Sequence, residues 1–158
     1  MGDHPEDGPR LTVREGDPGD APFVVALGAV AFARFGDYAP VMRQFLDSPE
    51  VTAFIACRSG RPVGFALVDR STLTEGFADM VAIAVEATER RSGVGRTLLS
   101  HVIASCEARG DASVLVLTVA DDNDGAIALF RSMGFSMTPG AIGRYAGGQR
   151  SRLMARPL

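Results

Sequence analysis

The sequence predicts one α/β domain built around a mixed β-sheet. Runs of apolar and β-branched residues of strand length alternate with stretches whose apolar residues recur at helical spacing. A short turn joins two of the runs, which indicates antiparallel strands, and a third run is apolar almost throughout, which is typical of a strand buried on both faces. Because the 158 residues contain no internal repeat and no linker, we expect a single domain over residues 11–158, preceded by a disordered tail over residues 1–10.

The first half of the domain is predicted to contain four strands and two helices. "LTVRE" has the composition of a short strand, and Asp20 is a candidate cap for a helix from Ala21 to Phe35. The remaining elements are a short helix from Pro40 to Leu46, two strands in "VTAFIACRSGRPVGFALVD" joined at Ser59–Arg61, and a long strand that begins at Phe77.

The second half adds two helices and three strands. A helix from Val94 to Arg109 ends at Gly110 and has one apolar face, so it should pack on the sheet. "ASVLVLTVA" is the strand that we expect to be buried on both faces. A short helix from Asp124 to Met133 and a final pair of strands in "GRYAGGQRSRLMARPL" complete the chain. The sheet should therefore have about six to seven strands, flanked by about four helices.

Composition excludes several classes of function. The net charge of -3 argues against nucleic acid as a partner, and no apolar run is long enough to span a membrane, so we expect a cytoplasmic protein. All 16 basic residues are arginine, which excludes a phosphate loop or a Schiff base that needs lysine. With two histidines and two cysteines, the latter predicted to be buried structural thiols (Cys57 and Cys106), a metal site or a Ser-His-Asp triad is not expected.

The segment "ERRSGVGRTLLSHVI" is the strongest candidate for a binding site. A strand ends near Val85, the chain turns through Arg90–Gly95, and a helix begins. Converging backbone N–H groups and the positive end of the helix dipole favour a phosphate at such a turn, and glycine lets the backbone approach it closely. A plain tight turn is the alternative interpretation. A dinucleotide-binding fingerprint does not fit, because Leu98 occupies the position of its third glycine.

Four features together resemble the GNAT superfamily of acyl-CoA-dependent N-acetyltransferases. Arg90-x-x-Gly93-x-Gly95 matches that family's Arg/Gln-x-x-Gly-x-Gly/Ala signature, and "IAV" at residues 83–85 precedes it. "NDGAIALFRSMGF" at residues 123–135 resembles the family's Asn-x-x-Ala-x-x-Leu-Tyr-x-x-x-Gly-Phe segment, and "LMARPL" resembles its last strand. The resemblance implies an acetyl-CoA-dependent N-acetyltransferase without a metal, acting on a primary amine of a small molecule or peptide. The resemblance does not decide between a monomer and a homodimer.

The resemblance also implies a donor site. The strands that end near Val85 and Val119 should splay apart, so that the pantetheine arm of coenzyme A lies between them and its pyrophosphate binds the amides of residues 91–96. Asn123 should contact the pantetheine arm, although a helix N-cap is the alternative role for that side chain. The implied cofactor-binding residues are Ile83, Ala84, Val85, Arg90, Arg91, Ser92, Gly93, Val94, Gly95, Arg96, Asn123 and Phe130.

For catalysis, the backbone N–H of Val85 is the candidate that polarises the thioester carbonyl. Asp79 stands where histone-type members of the family carry their general base, and a structural aspartate is the alternative. The frequent general-acid tyrosine is replaced by Phe130, which leaves Tyr145, Tyr38 or water to protonate the thiolate.

Residues 35–45 and 136–150 are expected to shape the acceptor cleft, with Phe35, Tyr38 and Tyr145 as candidate contacts. Thr118 stands where ribosomal-protein N-terminal alanine acetyltransferases carry a glutamate, so that acceptor is not assigned. A catalytically weak acyl-CoA-binding or regulatory module is the alternative function.

Overall fold

One mixed sheet organises the computed structural model, which describes residues 10–71 and 75–158. The strands are β1 (Leu11–Glu15), β2 (Val51–Arg58), β3 (Arg61–Asp69), β4 (Phe77–Val85), β5 (Val114–Ala120), β6 (Ser136–Met137), β7 (Gly143–Arg144) and β8 (Arg150–Pro157). Their order is β1-β2-β3-β4-β5-β8-β6, and β7 also pairs with β8. The helices are α1 (Ala21–Ala31), α2 (Ala39–Asp47), α3 (Val94–Arg109) and α4 (Asp124–Ser132). Most of the predicted tail, residues 1–9, lies outside the described residues.

The antiparallel part of the sheet confirms the predicted hairpin. β2 and β3 are joined at Ser59 and Gly60, which have φ values of 50° and 80°. Positive φ at both central residues is the geometry of a tight hairpin turn whose twist matches that of the strands. β1 pairs with β2 and β4 pairs with β3, so four consecutive strands form an antiparallel half-sheet.

Helices cover both faces of the sheet. α3 and α4 pack on one face through a core cluster that includes Leu98, Leu99 and Phe130. α1 and α2 pack on the other face through a second cluster that includes Val24 and Met42. We call these the α3 face and the α1 face. α3 has the predicted bounds, because a glycine in the left-handed region lies at each end, and Cys57 and Cys106 are free and buried as predicted.

β5 differs from its prediction. Leu115, Leu117 and Val119 are buried on the α3 face, but Thr118 is exposed. The reason is that β4 and β5 pair in parallel only over residues 77–79 and 114–116. Beyond those residues the strands separate, and the α1 face of β5 borders an opening instead of a packed layer. Its continuous apolar character therefore does not correspond to burial on both faces.

Two predictions at α1 need correction. The helix ends at Ala31 and not at Phe35, since Arg34 and Phe35 turn away to contact residues of the C-terminal half of the chain. Asp20 precedes α1 without a side-chain capping hydrogen bond. Its carboxylate instead accepts hydrogen bonds from both terminal nitrogens of Arg14, at 2.7 and 2.8 Å.

A β-bulge interrupts the alternation of β4. Leu67 is paired with Ala82 and Val68 with Met80, so Val81 is an extra residue on β4. The bulge reverses which residues face each side. Before it, Ala78 and Met80 belong to the α3-face cluster; after it, Ala82 and Ala84 belong to the α1-face cluster.

Candidate active site

A cavity of about 370 Å³ passes through the sheet where β4 and β5 separate. Its walls include Ile83 of β4 and Thr118 of β5. On the α3 face it is bordered by Ala126 and Phe130 of α4, and on the α1 face by side chains of α2 and of the loop before it. The splaying implied by the resemblance is thus present, and side chains from both faces of the sheet border the cavity.

The edge of β4 presents backbone groups to this gap. The N–H of Glu86 donates to the carbonyl of Val63 on β3 at 2.9 Å. Since backbone groups of successive residues in a strand alternate between its two edges, Ala84 also faces β3, whereas Ile83 and Val85 face the gap. Ala84, a predicted cofactor-binding residue, is therefore turned away at both its backbone and its buried side chain.

The loop between β4 and α3 has the geometry of an anion site. Arg91 and Gly93 have φ values of 65° and 84°, so two residues of the short turn are left-handed. α3 begins at Val94, and the first turn of a helix has N–H groups without intrahelical carbonyl partners. A Cβ added at Gly93 would meet no atom within 4 Å, so open space lies above these amides.

The charged side chains of the loop divide into two groups. Arg90 and Arg91 are exposed, and neither forms an ion pair within residues 10–71 and 75–158. Arg96 instead points to the end of α4, where it donates to Ser132 at 3.0 Å. Of the predicted phosphate-binding arginines, two are thus available to a ligand and one is already hydrogen-bonded.

An ion-pair network that the sequence did not indicate supports the loop. Arg58, at the end of β2, donates from Nε to Glu89 at 3.0 Å, and Arg61 lies 3.7 Å from the same carboxylate. Ser92 donates from Oγ to the Glu89 carbonyl and lies 3.3 Å from its carboxylate. The β2–β3 hairpin therefore braces the turn, and the hydroxyl of Ser92, a predicted cofactor contact, is used within the loop.

Asn123 and Phe130 both line the cavity from α4. The Asn123 Oδ1 accepts a hydrogen bond from the N–H of Ala126 at 3.3 Å, so this side chain is the N-cap of the helix. Capping uses only the oxygen, and the amide nitrogen is left to donate to a ligand. Phe130 is buried, with its ring 5.9 Å from that of Phe135.

Asp79 lies on the α1 face, because its neighbours on β4 face the other way, and it lines the cavity. Burial in the cavity wall, followed by the negative charge of Asp69 directly opposite on β3, raises the pKa of Asp79 to about 6. At neutral pH the carboxyl is therefore mostly ionised and still basic enough to accept a proton.

The acceptor-side wall is aromatic. Phe35 is buried against Tyr145, with ring centroids 4.9 Å apart, and Tyr38 packs on Phe32 at 5.4 Å. Burial, and then the proximity of Tyr38, raises the pKa of Tyr145 to about 12, so its hydroxyl is protonated at neutral pH. The structure thus brings together all three predicted acceptor contacts and adds Phe32, Val41 and Phe45, which sequence reasoning missed.

A bridge closes one side of this wall. The loop after α1 is joined to the β7–β8 hairpin by hydrogen bonds from Gly147 N–H to the Phe35 carbonyl and from Gln149 Nε2 to the Arg34 carbonyl, both 3.0 Å. Arg34 also pairs with Asp122, just before α4, at 3.0 Å. A Cβ at Gly147 would collide with the Arg34 carbonyl, so glycine is required there. No sequence motif indicated this bridge.

The described residues carry neither a group of three or more His, Cys, Asp or Glu side chains able to hold a metal ion nor a helix long and apolar enough to cross a membrane.

Comparison with known proteins agrees with the fold. The model of the acetyltransferase (GNAT) family matches residues 14–135. The ribosomal protein bS18-alanine N-acetyltransferase of Escherichia coli (strain K12) is 40% identical over 83 residues, which cover 52% of this chain and 53% of that protein. The N-alpha-acetyltransferase RimI of Mycobacterium tuberculosis is 38% identical over 84 residues, or 52% and 51% of the two chains. The match thus spans about half the length of these curated relatives.

Among solved structures, the ribosomal-protein-S18-alanine N-acetyltransferase from Escherichia coli superposes with a TM-score of 0.80 at 26% identity, over 94% of each chain.

Proposed function

We propose that this chain, which belongs to the acetyltransferase (GNAT) family, transfers an acetyl group from acetyl-CoA to a primary amine. The single observation that carries the proposal is the cavity through the sheet, which Asp79 lines and which lies along the strand that leads into the left-handed turn of residues 90–95. The transfer needs both substrates held close together, with the carbonyl polarised and the amine deprotonated.

For the donor, we assign the backbone edge at Ile83 and Val85 to the pantetheine arm, in the manner of an added strand. The open amides of residues 91–96 are assigned to the pyrophosphate, with Arg90 and Arg91 as supplementary cations. The Asn123 amide nitrogen is assigned to the pantetheine arm. Support for this fit comes from the open space above Gly93 and from the separation of β5 from β4.

For the chemistry, the amine nitrogen forms a bond to the thioester carbonyl carbon and the carbon–sulfur bond breaks. The amine proton passes to Asp79, directly or through water, and the N–H of Val85 donates to the carbonyl oxygen. The thiolate takes its proton from Tyr145 or from water, since Phe130 has no hydroxyl to give. The raised pKa of Asp79 suits the first step. The pKa of Tyr145, raised to about 12, keeps its hydroxyl protonated but makes it a weaker acid, so water is the competing proton donor.

The acceptor is an amine of a small molecule or a peptide. The names of the curated relatives point to polypeptide N-termini, but their matches cover about half of each chain and do not carry that acceptor over. A second candidate function, an acyl-CoA-binding or regulatory module with little turnover, is favoured by one observation, the phenylalanine at position 130.

The deciding experiment separates binding from turnover. Calorimetry with acetyl-CoA measures the donor site, and release of free thiol in the presence of a panel of amines measures transfer. We expect donor binding together with amine-dependent thiol release and an acetylated product in the mass spectrum. Binding without amine-dependent release from any amine or peptide would favour the binding module, and absence of acetyl-CoA binding would reject both functions.

A further inference from the structure

We infer that the acceptor is a small amine with a single positive charge and an apolar, ring-bearing or branched body. The inference rests on the proposed function and specifies the substrate class of the same site. It depends on the chemistry of the acceptor-side wall, which Phe32, Phe35, Tyr38, Val41, Phe45 and Tyr145 form around one carboxyl.

The wall offers one anionic partner and several ring faces. Among the described residues that line the cavity, Asp79 is the one with an acidic side chain. A single ammonium group can pair with it and lie against aromatic faces. A second or third ammonium group, as in a polyamine or an aminoglycoside, would lie against uncharged lining side chains, because Asp69, the acidic neighbour of Asp79 on β3, does not line the cavity. Such burial of an unpaired charge is costly. An anionic amine would meet no cation there, because no arginine lines the cavity in residues 10–71 and 75–158.

The size of the site points to a small molecule. The cavity of about 370 Å³ has to accommodate the acetyl-thioester end of the donor as well as the acceptor. The bridge from Phe35 and Arg34 to the β7–β8 hairpin closes the wall beside Tyr145 with two hydrogen bonds and a ring contact. A peptide chain that left the cavity beside Tyr145 would meet this bridge, so a compact amine fits better than a chain.

The experiment compares four amines on the whole chain: 2-phenylethylamine, spermidine, glucosamine and a hexapeptide with N-terminal alanine. Amine binding to the CoA-saturated protein is measured by calorimetry, and thiol release from acetyl-CoA is measured in parallel. We expect 2-phenylethylamine to bind, and to have a kcat/KM about 100-fold or more above those of the others. Tighter binding or higher kcat/KM for spermidine, glucosamine or the peptide would overturn the inference while leaving the transfer function intact.

Measuring both amine binding and thiol release distinguishes failure of the substrate-class inference from failure of the proposed acetyl transfer. Selective binding of 2-phenylethylamine without thiol release would support the substrate class and count against acetyl transfer. Binding of no amine in a protein that binds acetyl-CoA would overturn the assignment of this wall to an acceptor.

A matched pair of variants tests the charge argument. Val41 lies in the first turn of α2 and lines the cavity, and an acidic side chain in a first helical turn is favourable. Val41→Asp should increase affinity for 1,5-diaminopentane about tenfold or more, whereas the uncharged Val41→Asn should not. Far-UV circular dichroism of both variants controls for folding. Equal diamine affinity in the two variants would count against the wall as the acceptor site.

Discussion

Replacing Asp79 with asparagine should lower turnover and stabilise the fold at neutral pH. The pKa of this carboxyl rises from 3.8 to about 6 in the folded protein. A shift of about two units corresponds to roughly 3 kcal/mol of difference between the two protonation states. Because the folded state binds the proton more tightly than the unfolded state, this stabilisation is complete below pH about 4 and is lost as the pH rises through about 6. At pH 7 the ionised carboxylate therefore opposes folding, and asparagine should raise the free energy of unfolding by about 1–3 kcal/mol.

Two measurements check both halves of this expectation. The pH–rate profile of the unmodified enzyme should have an acidic limb near pH 6, set by ionisation of Asp79. Asp79→Asn should remove that limb and lower turnover by about 100-fold or more, with little change in acetyl-CoA affinity. Urea unfolding should show the gain in stability at pH 7 and little gain at pH 4.

Asp69→Asn is the matched control. The Asp69 side chain accepts a hydrogen bond from the N–H of Ser71 at 2.8 Å, which asparagine can also accept. Removing the Asp69 charge should lower the pKa of Asp79 and so move the acidic limb of the rate profile to lower pH. The move should be smaller than the rise in pKa that burial causes, and the plateau rate should be preserved. If Asp79→Asn kept normal turnover and the limb, Asp79 would not be the base. If it lost activity without a pH-dependent gain in stability, the burial argument would be wrong.

Three other predictions concern separate parts of the molecule. Gly93→Val should weaken acetyl-CoA binding about tenfold or more by calorimetry, whereas Gly110→Val, which imposes a similar strain at the other end of α3, should not; equal losses would reject the anion site. Tyr145→Phe should reduce turnover about 100-fold, and adding Phe130→Tyr should restore part of the rate; near-normal turnover would leave water as the acid. Asp20→Asn should lower the free energy of unfolding by about 1 kcal/mol at pH 7, because Arg14 lowers the pKa of the Asp20 carboxyl in the folded protein. Urea titrations should show this loss of stability disappearing as the pH falls through the lowered pKa.

Elements whose limits are set by neighbouring residues were predictable from the sequence. The β2–β3 turn and the bounds of α3 follow from residues that adopt positive φ locally. The turn of residues 90–95 was predictable for the same reason, since its glycines, the strand before it and the helix after it are contiguous in the chain. Its role as an anion site stays a prediction.

Features that depend on distant contacts were not predictable. Phe35 has good helical surroundings in sequence, but its ring packs on Tyr145 and its carbonyl accepts a hydrogen bond from Gly147, more than a hundred residues later. In the sequence, Val41 and Phe45 occupy apolar positions of an amphipathic helix. They line a cavity only because β4 separates from β5. The prediction that β5 is buried on both faces was wrong at Thr118 for the same reason, because a run of apolar residues does not reveal where the neighbouring strand diverges.

The extra residue at Val81 has a consequence for how the chain can vary. If β4 kept all its residues and alternated without a bulge, Asp79 would project to the same side of the sheet as Ile83 and Val85. With it, the Asp79 side chain lies on the α1 face, whereas Ile83 and Val85 pack against the α3-face cluster. Deleting Val81 would leave the pairs Leu67–Ala82 and Val68–Met80, and the faces of the other β4 side chains, unchanged. The strand can therefore lose one residue at the bulge without a change of register, which a regular strand cannot.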